Sequence, residues 1–206
     1  MLTIDHVIVP VANLAQAAAR IETRYGLASV EGGRHPAWGT ANRIVPLGDA
    51  YVELVAVVDP GTAAKAAFGR WVAAATGGHP LGWAVRTDAI EEVGRSLGLP
   101  VVRGSRAAPG GELLRWRTVG VDVATRESGL PFFIQWDDGV ALPGAMPVRH
   151  PRGRAHLKLL EVNEDPGRLA DWLGDYDLPL SVTAGPSGLS TIVLTQEHRD
   201  VELVIA

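Results

Sequence analysis

A seven-residue stretch that occurs twice restricts the folds that this sequence can adopt. Residues 51–57 read YVELVAV, and residues 200–206 read DVELVIA. Both copies are rich in β-branched residues, so we predict two short buried strands, in which a carboxylate is costly unless it has a partner. A histidine precedes each glutamate at almost the same interval, with 47 residues from His6 to Glu53 and 46 from His156 to Glu202.

The predicted secondary-structure elements follow one plan three times along the chain. Each unit reads as a strand, a helix and three further strands, over approximately residues 3–58, 81–137 and 154–205. Alternating apolar residues indicate the strands, and apolar residues spaced by three and four indicate the helices. We therefore predict an α+β fold in which repeated βαβββ units form a curved mixed sheet around a cleft.

Two stretches separate the units. We predict a connector helix over residues 62–76 and an extended linker over residues 138–153, which are rich in Pro and Gly and have no hydrophobic period. The expected domains are a two-unit domain, 1–137, and a third unit, 154–206. An odd unit leaves a sheet face unpaired, so we expect it to cover an edge or to make a homodimer contact.

Composition excludes several function classes. The 206 residues are 47% hydrophobic and carry a formal net charge of −4, with no basic tract that would attract nucleic acid or an anionic membrane. Cysteine is absent, which excludes disulfides, thiolate zinc sites and a cysteine nucleophile. The N-terminus lacks the features of a leader peptide. We expect a cytoplasmic protein whose partner is a small molecule, with neither nucleic acid nor membrane involved.

The first unit places its histidine and glutamate where they can meet. The first and last strands of a βαβββ unit can lie side by side, and strand alternation puts His6 and Glu53 on the same face of the sheet. Two such units packed together form a cleft, and we expect both side chains to point into the largest pocket. The alternative interpretation is a hydrogen-bonded buried pair that fixes the strand register.

Four motifs carry a resemblance to a known family. They are Asp5-His6-Val7, Gly33-Arg34-His35-Pro36, Trp38-Gly39-Thr40-Ala41-Asn42-Arg43 and Tyr51-Val52-Glu53-Leu54. With these motifs the chain resembles the glyoxalase-like branch of the vicinal oxygen chelate superfamily. The resemblance implies paired βαβββ units around a divalent metal, which His or Gln and Glu hold and which chelates vicinal oxygens of a substrate. Members include glyoxalases, dioxygenases, epimerases and metal-free antibiotic-binding proteins.

The second unit departs from the implied metal-binding pattern. Gly82 or Trp83 stands where a histidine is expected, and Ile134 or Gln135 where a glutamate is expected. Two ways of completing the metal shell remain, both built on the pair of the first unit. If the first two units form the cleft, Gln135 joins His6 and Glu53. If the first and third units pair, His156 and Glu202 complete a site for Ni, Mn, Fe or Zn.

The expected pocket wall combines polar and aromatic side chains from both of the first two units. Trp38 lies in a polar, glycine-broken loop that suits a pocket rim, and Arg34 or Arg43 is suited to hold a carboxylate or phosphate of a substrate. Trp83 and Trp136 lie on predicted cleft-forming strands, where they can stack on a planar ligand. The expected pocket residues are thus Trp38, Asn42, Arg43, Trp83 and Trp136. We expect the other histidines, His35, His79, His150 and His198, to lie on the surface.

Two function classes remain open from the sequence. The first is a metal-dependent lyase, isomerase or dioxygenase, in which the ion polarises a substrate oxygen and Glu53 or Glu202 moves a proton. The second is a metal-free protein that binds and sequesters a small planar, antibiotic-like molecule.

Overall fold

The computed structural model describes residues 1–75, 79–108, 110–197 and 199–203. The helices are α1 (Leu14–Tyr25), α2 (Pro60–Ala63), α3 (Ala67–Ala74), α4 (Ile90–Leu97), α5 (Val121–Ala124) and α6 (Pro166–Leu173). The strands of the first two units are β1 (Thr3–Pro10), β2 (Val30–His35), β3 (Thr40–Pro46), β4 (Tyr51–Val57), β5 (Gly82–Arg86), β6 (Val102–Ala107), β7 (Leu113–Val119) and β8 (Phe132–Trp136). Those of the third are β9 (Ala155–Asn163), β10 (Leu180–Thr183), β11 (Gly188–Gln196) and β12 (Arg199–Leu203).

The first eight strands form one curved mixed sheet in the order β2-β3-β4-β1-β5-β8-β7-β6. Within each half, the first and last strands pair in parallel, β1 with β4 and β5 with β8. The halves join through antiparallel β1 and β5. The sheet curves until its edge strands β2 and β6 touch, where Arg106 donates a hydrogen bond to the carbonyl of Gly32. The predicted curved mixed sheet of an α+β fold is therefore confirmed.

The two faces of this sheet have different roles. Val7 and Val52 face outward into the main hydrophobic core, which also receives Ile21 of α1. Ile8 and Val55 face inward, toward the space that the curved sheet encloses. Since side chains alternate along a strand, each strand contributes both to the core and to the enclosed cavity.

The connections between units differ from the expected ones. The predicted connector helix over residues 62–76 is two short helices, α2 and α3, and its expected end at residue 76 lies outside the described residues. The stretch 138–153 packs on the first unit through His150. The Nδ1 atom of His150 accepts a hydrogen bond from the backbone N–H of Ala28 at 3.0 Å, and its Nε2 atom lies 2.8 Å from the carbonyl oxygen of Pro46. His150 is thus buried, which corrects its expected surface position.

The third unit has the predicted element order but not the strand order of the first. Its sheet runs β10-β9-β11-β12, so β11 separates the first strand from the last. It packs on the outer face of the large sheet, where Trp172 lies against Phe133 with ring centroids 6.1 Å apart and donates to the carbonyl of Pro131 at 2.8 Å. The strand predicted in residues 200–206 begins within β12, and residues 204–206 lie outside the described part of the chain. None of the described helices has the length and apolar character that crossing a membrane requires.

Candidate functional site

A bulge in β1 turns two consecutive side chains toward the same side of the sheet. Opposite β5, Ile4 pairs with Val85 and His6 pairs with Ala84, so Asp5 is an extra residue in the ladder. Such bulges re-aim side chains, because the alternation of a regular strand is broken at that point. Asp5 and His6 can consequently form a hydrogen bond with each other although they are neighbours in a strand.

Asp5 holds His6 through the Nδ1 atom of the ring. Asp5 Oδ1 lies 2.7 Å from His6 Nδ1, and both residues are buried. Asp5 Oδ2 accepts from Arg86 Nη1 at 3.3 Å and from Trp136 Nε1 at 3.1 Å, which fixes the carboxylate. A carboxylate on Nδ1 favours the ring form with a proton there, so that Nε2 of neutral His6 is a free acceptor.

The free nitrogen of His6 faces Glu53. His6 Nε2 and Glu53 Oε2 are 3.9 Å apart, a distance that leaves the pair close but without a hydrogen bond. Asn42 Nδ2 donates to Glu53 Oε1, and Asn42 Oδ1 is a buried acceptor without a partner among the described residues. Gly32 provides the space for this amide, since a Cβ at that position would overlap Asn42 Oδ1.

The His6 ring is held by aromatic neighbours. It stacks on Tyr51 with centroids 4.7 Å apart, and Phe132 meets it edge-on at 5.5 Å. Burial, together with the negative charges of Asp5 and Glu53, raises the pKa of Tyr51 well above its ordinary value of 10.0. Tyr51 is therefore a neutral phenol at neutral pH and supplies a hydroxyl group rather than an anion.

These groups form the polar end of a large cavity. Its volume is about 780 Å³, within the range of small-molecule sites. Aromatic rings line the walls, and they are those of Trp38, Phe68, Trp116, Phe132 and Trp136. An acid–base pair at the end of an apolar cavity can act on a substrate from which water is excluded.

Two further buried polar groups complete this end. The His35 ring lies 3.0 Å from the hydroxyl of Thr40 through its Nδ1, and burial lowers its pKa although Glu53 acts in the opposite direction. Arg106 reaches the cavity from β6, and burial lowers its pKa while Tyr51 and Glu53 oppose that shift. His35 was expected at the surface, and its position on β2 brings it inside instead.

The structure brings together half of the site residues expected from the sequence. His6 and Glu53 lie on the adjacent strands β1 and β4 and face the same cavity. Trp38, Asn42 and Trp136 also line it.

Strand alternation removes three expected residues from the cavity. Trp83 is fully buried on the outer face, where it donates to the carbonyl of Gly129 at 3.0 Å. Arg43 points the same way and bonds the hydroxyl and carbonyl of Ser29 at 3.0 and 2.9 Å. Both predictions of a pocket position are thus corrected. Gln135 lies between the cavity-lining Ile134 and Trp136, and its Oε1 accepts from the backbone N–H of Ile90 at 3.1 Å.

The described residues of the third unit contribute no group to this site. His156 and Glu202 are exposed residues of the second sheet, and β11 separates their strands. His156 pairs with Thr195 and Glu202 with Val193, so the two are not even neighbours of each other. The predicted four-ligand shell, and the predicted catalytic position of Glu202, are therefore corrected, because the strand order of the third unit differs from that of the first.

Sequence reasoning missed Asp5, Arg106, Tyr51 and His35 as residues of the site. The only sequence signal for Asp5 was its position next to His6, since a regular strand would point it away. Arg106 is buried between the exposed residues Ser105 and Ala107 of β6. This edge strand is mostly polar, so its sequence shows no alternation of apolar residues that would indicate which side chains point inward.

The donor atoms test whether the site fits the divalent metal that the family resemblance implies. His6 Nε2 and Glu53 Oε2 lie 3.9 Å apart, the imidazole of His35 is a further basic group at this end of the cavity, and Asn42 Oδ1 is a neutral oxygen. The corresponding inward positions of the second unit are apolar, because Ala84 and Ile134 lie on the cavity-facing side of the sheet.

The charge around Glu53 also opposes a bound cation. The guanidinium of Arg106 is buried near enough to Glu53 for the two to interact electrostatically. Within the described ranges, no three His, Asp or Glu residues are grouped so that they could hold a metal ion. Divalent ions need three or more such ligands in a fixed geometry. The residues present do not fit a tightly held divalent metal.

Comparison with known proteins gives the family. The sequence model of the glyoxalase-like domain matches residues 4–176, which is most of the chain and extends into the third unit. The chain therefore belongs to the glyoxalase-like family, within the vicinal oxygen chelate superfamily. No curated protein matches the sequence.

Solved structures share the fold at low sequence identity. A hypothetical protein from Staphylococcus aureus is 16% identical with a TM-score of 0.65, and the match covers 98% of this chain and 84% of that one. A variant of Streptomyces coelicolor methylmalonyl-CoA epimerase, in complex with 2-nitronate-propionyl-CoA, is 18% identical with a TM-score of 0.50, covering 69% of this chain and 99% of that one. These similarities concern the fold, and the first extends over all three units.

Proposed function

We propose that the chain is an isomerase-type enzyme that moves a proton on a small carbonyl compound without a metal ion. The observation that supports this most strongly is the placement of His6 Nε2, 3.9 Å from Glu53 Oε2, at the polar end of the aromatic cavity. Asp5 holds the other ring nitrogen, so Nε2 is available as a base.

The proposed step is proton abstraction from a carbon next to a carbonyl group. His6 Nε2 takes the proton, and the electron pair of the broken C–H bond passes into the carbonyl to give an enolate. Asp5 stabilises the imidazolium that forms, because its carboxylate accepts a hydrogen bond from Nδ1–H at 2.7 Å. On a hydroxyketone, Glu53 takes the hydroxyl proton of the enediolate and passes it to the other oxygen, and His6 returns the abstracted proton to the former carbonyl carbon, which completes the isomerisation.

The separation of the two groups restricts the stereochemistry. At 3.9 Å apart, His6 and Glu53 attack the substrate from the same side. The strands β5 and β8 of the second unit offer no base opposite them, since Ala84 and Ile134 stand at their inward positions, and Asp122, which lines the cavity from α5, is an exposed residue. The arrangement favours transfer of a proton between adjacent carbons on one face of the substrate over inversion by two bases on opposite faces.

Exchange in D2O tests the proposed function. We would incubate small aromatic hydroxyketones, 2-oxo acids and thioesters with the protein and follow C–H loss by NMR. The wild type should catalyse exchange or isomerisation of one class, and His6→Gln and Glu53→Gln should each lower the rate by about 10²- to 10⁴-fold. Glu202→Gln, an exposed glutamate on the second sheet, is the matched control. Unchanged exchange in both site variants would refute the assignment.

The aromatic walls favour a second candidate, a protein that binds and sequesters a planar ligand. Trp116 and Trp136 meet at 5.4 Å, Trp38 packs on Phe68 at 4.8 Å, and Trp38 lies 6.4 Å from Trp116, so the rings form one continuous wall of the cavity. Such surfaces bind planar molecules through stacking. Tight binding of aromatic compounds with no exchange of any C–H bond would favour this candidate over the enzyme.

A further inference from the structure

Arg106 brings a buried positive charge to the polar end of the cavity. It extends from β6, and its residue is only 5% exposed. Its Nη1 donates to the carbonyl of Gly32 on the opposite edge of the sheet. A guanidinium carries five N–H donors in a planar fork, so this single bond leaves most of them unused.

Among the residues that the structure describes, no anion pairs directly with this guanidinium. Within the described part of the chain, no carboxylate oxygen lies at ion-pair distance from Arg106, and its Nε and Nη2 have no hydrogen-bond partner. Glu53 acts on it only through longer-range attraction, and Tyr51, a neutral phenol, adds no negative charge. A buried charge without a partner is costly, and an arriving anion would compensate that cost.

The position of the Arg106 guanidinium in the cavity suits the binding of a ligand as well as the contact between the two edge strands. Arg106, Glu53 and His6 line the same cavity, whose other walls are aromatic rings. A planar fork of donors matches the two oxygens of a carboxylate, and the rings match an aromatic group. The cavity of about 780 Å³ has room for both parts of such a molecule.

We propose that Arg106 binds the carboxylate of a small aromatic monoanion and places the C–H bond next to its ketone beside His6 and Glu53. The substrate class is then an aromatic 2-oxo acid, and this inference rests on the proposed function for the identity of the reacting carbon. The same guanidinium supplies the positive charge that stabilises the enolate, in a site whose donors do not fit a divalent ion.

Binding of two non-reactive probes tests the inference. We would titrate 3-phenylpropanoate and its neutral analogue 3-phenylpropanamide by calorimetry. The wild type should bind the carboxylate about tenfold or more tightly than the amide, because charge-assisted hydrogen bonds are worth about 1.5–3 kcal/mol. Arg106→Met should remove this preference. Arg103→Met, which removes an exposed arginine of the same strand, should keep it.

Three results would each overturn the anion site. They are a preference for the carboxylate that survives in Arg106→Met, equal affinity of the wild type for both probes, and no binding of the carboxylate at millimolar concentration. The comparison of the two probes on the wild type needs no variant, so it tests the anion site even if Arg106→Met does not fold.

The exchange experiment distinguishes a failure of this inference from a failure of the proposed function. Exchange on neutral ketones as fast as on carboxylates would contradict the anion site alone. An Arg106-dependent preference without any exchange would contradict the proton-transfer function alone.

Discussion

The carboxylate of Asp5 lies 2.7 Å from Nδ1 of His6, the next residue in the same strand. Consecutive residues of a regular strand point to opposite faces, and here the bulge in β1 places both on the inner side. The bond fixes which nitrogen of His6 is free, and it depends on one extra residue in the ladder between β1 and β5.

Replacing Asp5 with Asn should lower the rate of proton exchange by about 10²- to 10⁴-fold with a much smaller change in KM. The amide keeps the size of the side chain but no longer requires a proton on His6 Nδ1, so the wrong ring form becomes populated. Rates and KM for the exchanging substrate give the measurement. Asp177→Asn, which changes an exposed carboxylate of the third unit, is the control. A rise in KM with unchanged kcat would show that Asp5 only shapes the pocket.

Replacing single polar side chains of the third unit should leave the rate of proton exchange unchanged. We expect His156→Gln and Glu202→Gln to keep wild-type exchange, because both residues are exposed on the second sheet. Glu53→Gln, the same change in the related strand β4, should abolish most activity. The three variants are compared at equal fraction folded. A large loss in Glu202→Gln would contradict the placement of the site within the first two units.

The sequence predicted that His6 and Glu53 face the same cavity. This prediction requires only that side chains alternate along a strand and that the first and last strands of the unit are neighbours. The same argument failed for His156 and Glu202. The element order of the third unit matches that of the first, but β11 lies between β9 and β12, and strand order is decided by packing against the large sheet rather than by local sequence.

Side-chain direction limited the other predictions. Trp83 and Arg43 lie on the expected strands but on the outer face, and the choice of face for a strand that is buried on both sides cannot be read from its hydrophobic pattern. Arg106 could not be predicted, because only the contact between the two edge strands brings it into the cavity.

Gly32 should be sensitive to the addition of a single methyl group. In Gly32→Ala the new Cβ would overlap Asn42 Oδ1, so the amide must move away from Glu53. We expect a loss of about 1–3 kcal/mol in the free energy of unfolding, and weaker exchange activity. Chemical denaturation provides the first measurement. Gly110→Ala is the control, since a Cβ there meets nothing within 4 Å. Equal stability of the two variants would contradict the close approach.

His35 should contribute to the pH dependence of stability. Burial lowers its pKa from the ordinary value of 6.5, with Glu53 opposing and Arg106 reinforcing the shift. The unfolded chain therefore takes up the proton first as the pH falls. The contribution of neutral His35 is fully present above pH 6.5 and is lost as the pH falls through the lower pKa of the folded state.

The variant His35→Gln lacks this contribution. Its free energy of unfolding should fall less steeply than that of the wild type between about pH 7 and about pH 5. Urea denaturation at a series of pH values measures both slopes. His79→Gln, which changes an exposed histidine, should follow the wild type. A steeper fall in His35→Gln would reverse the assigned sign.

Metal independence is the central claim, and chelation tests it most directly. The wild type is dialysed against a strong chelator, and its rate of substrate C–H exchange is measured before and after addition of Ni²⁺, Mn²⁺, Fe²⁺ or Zn²⁺. We predict the same rate in all samples, because His6, Glu53 and Arg106 leave no fitting site for a divalent ion. Activity that disappears on chelation and returns with one of these ions would contradict the account.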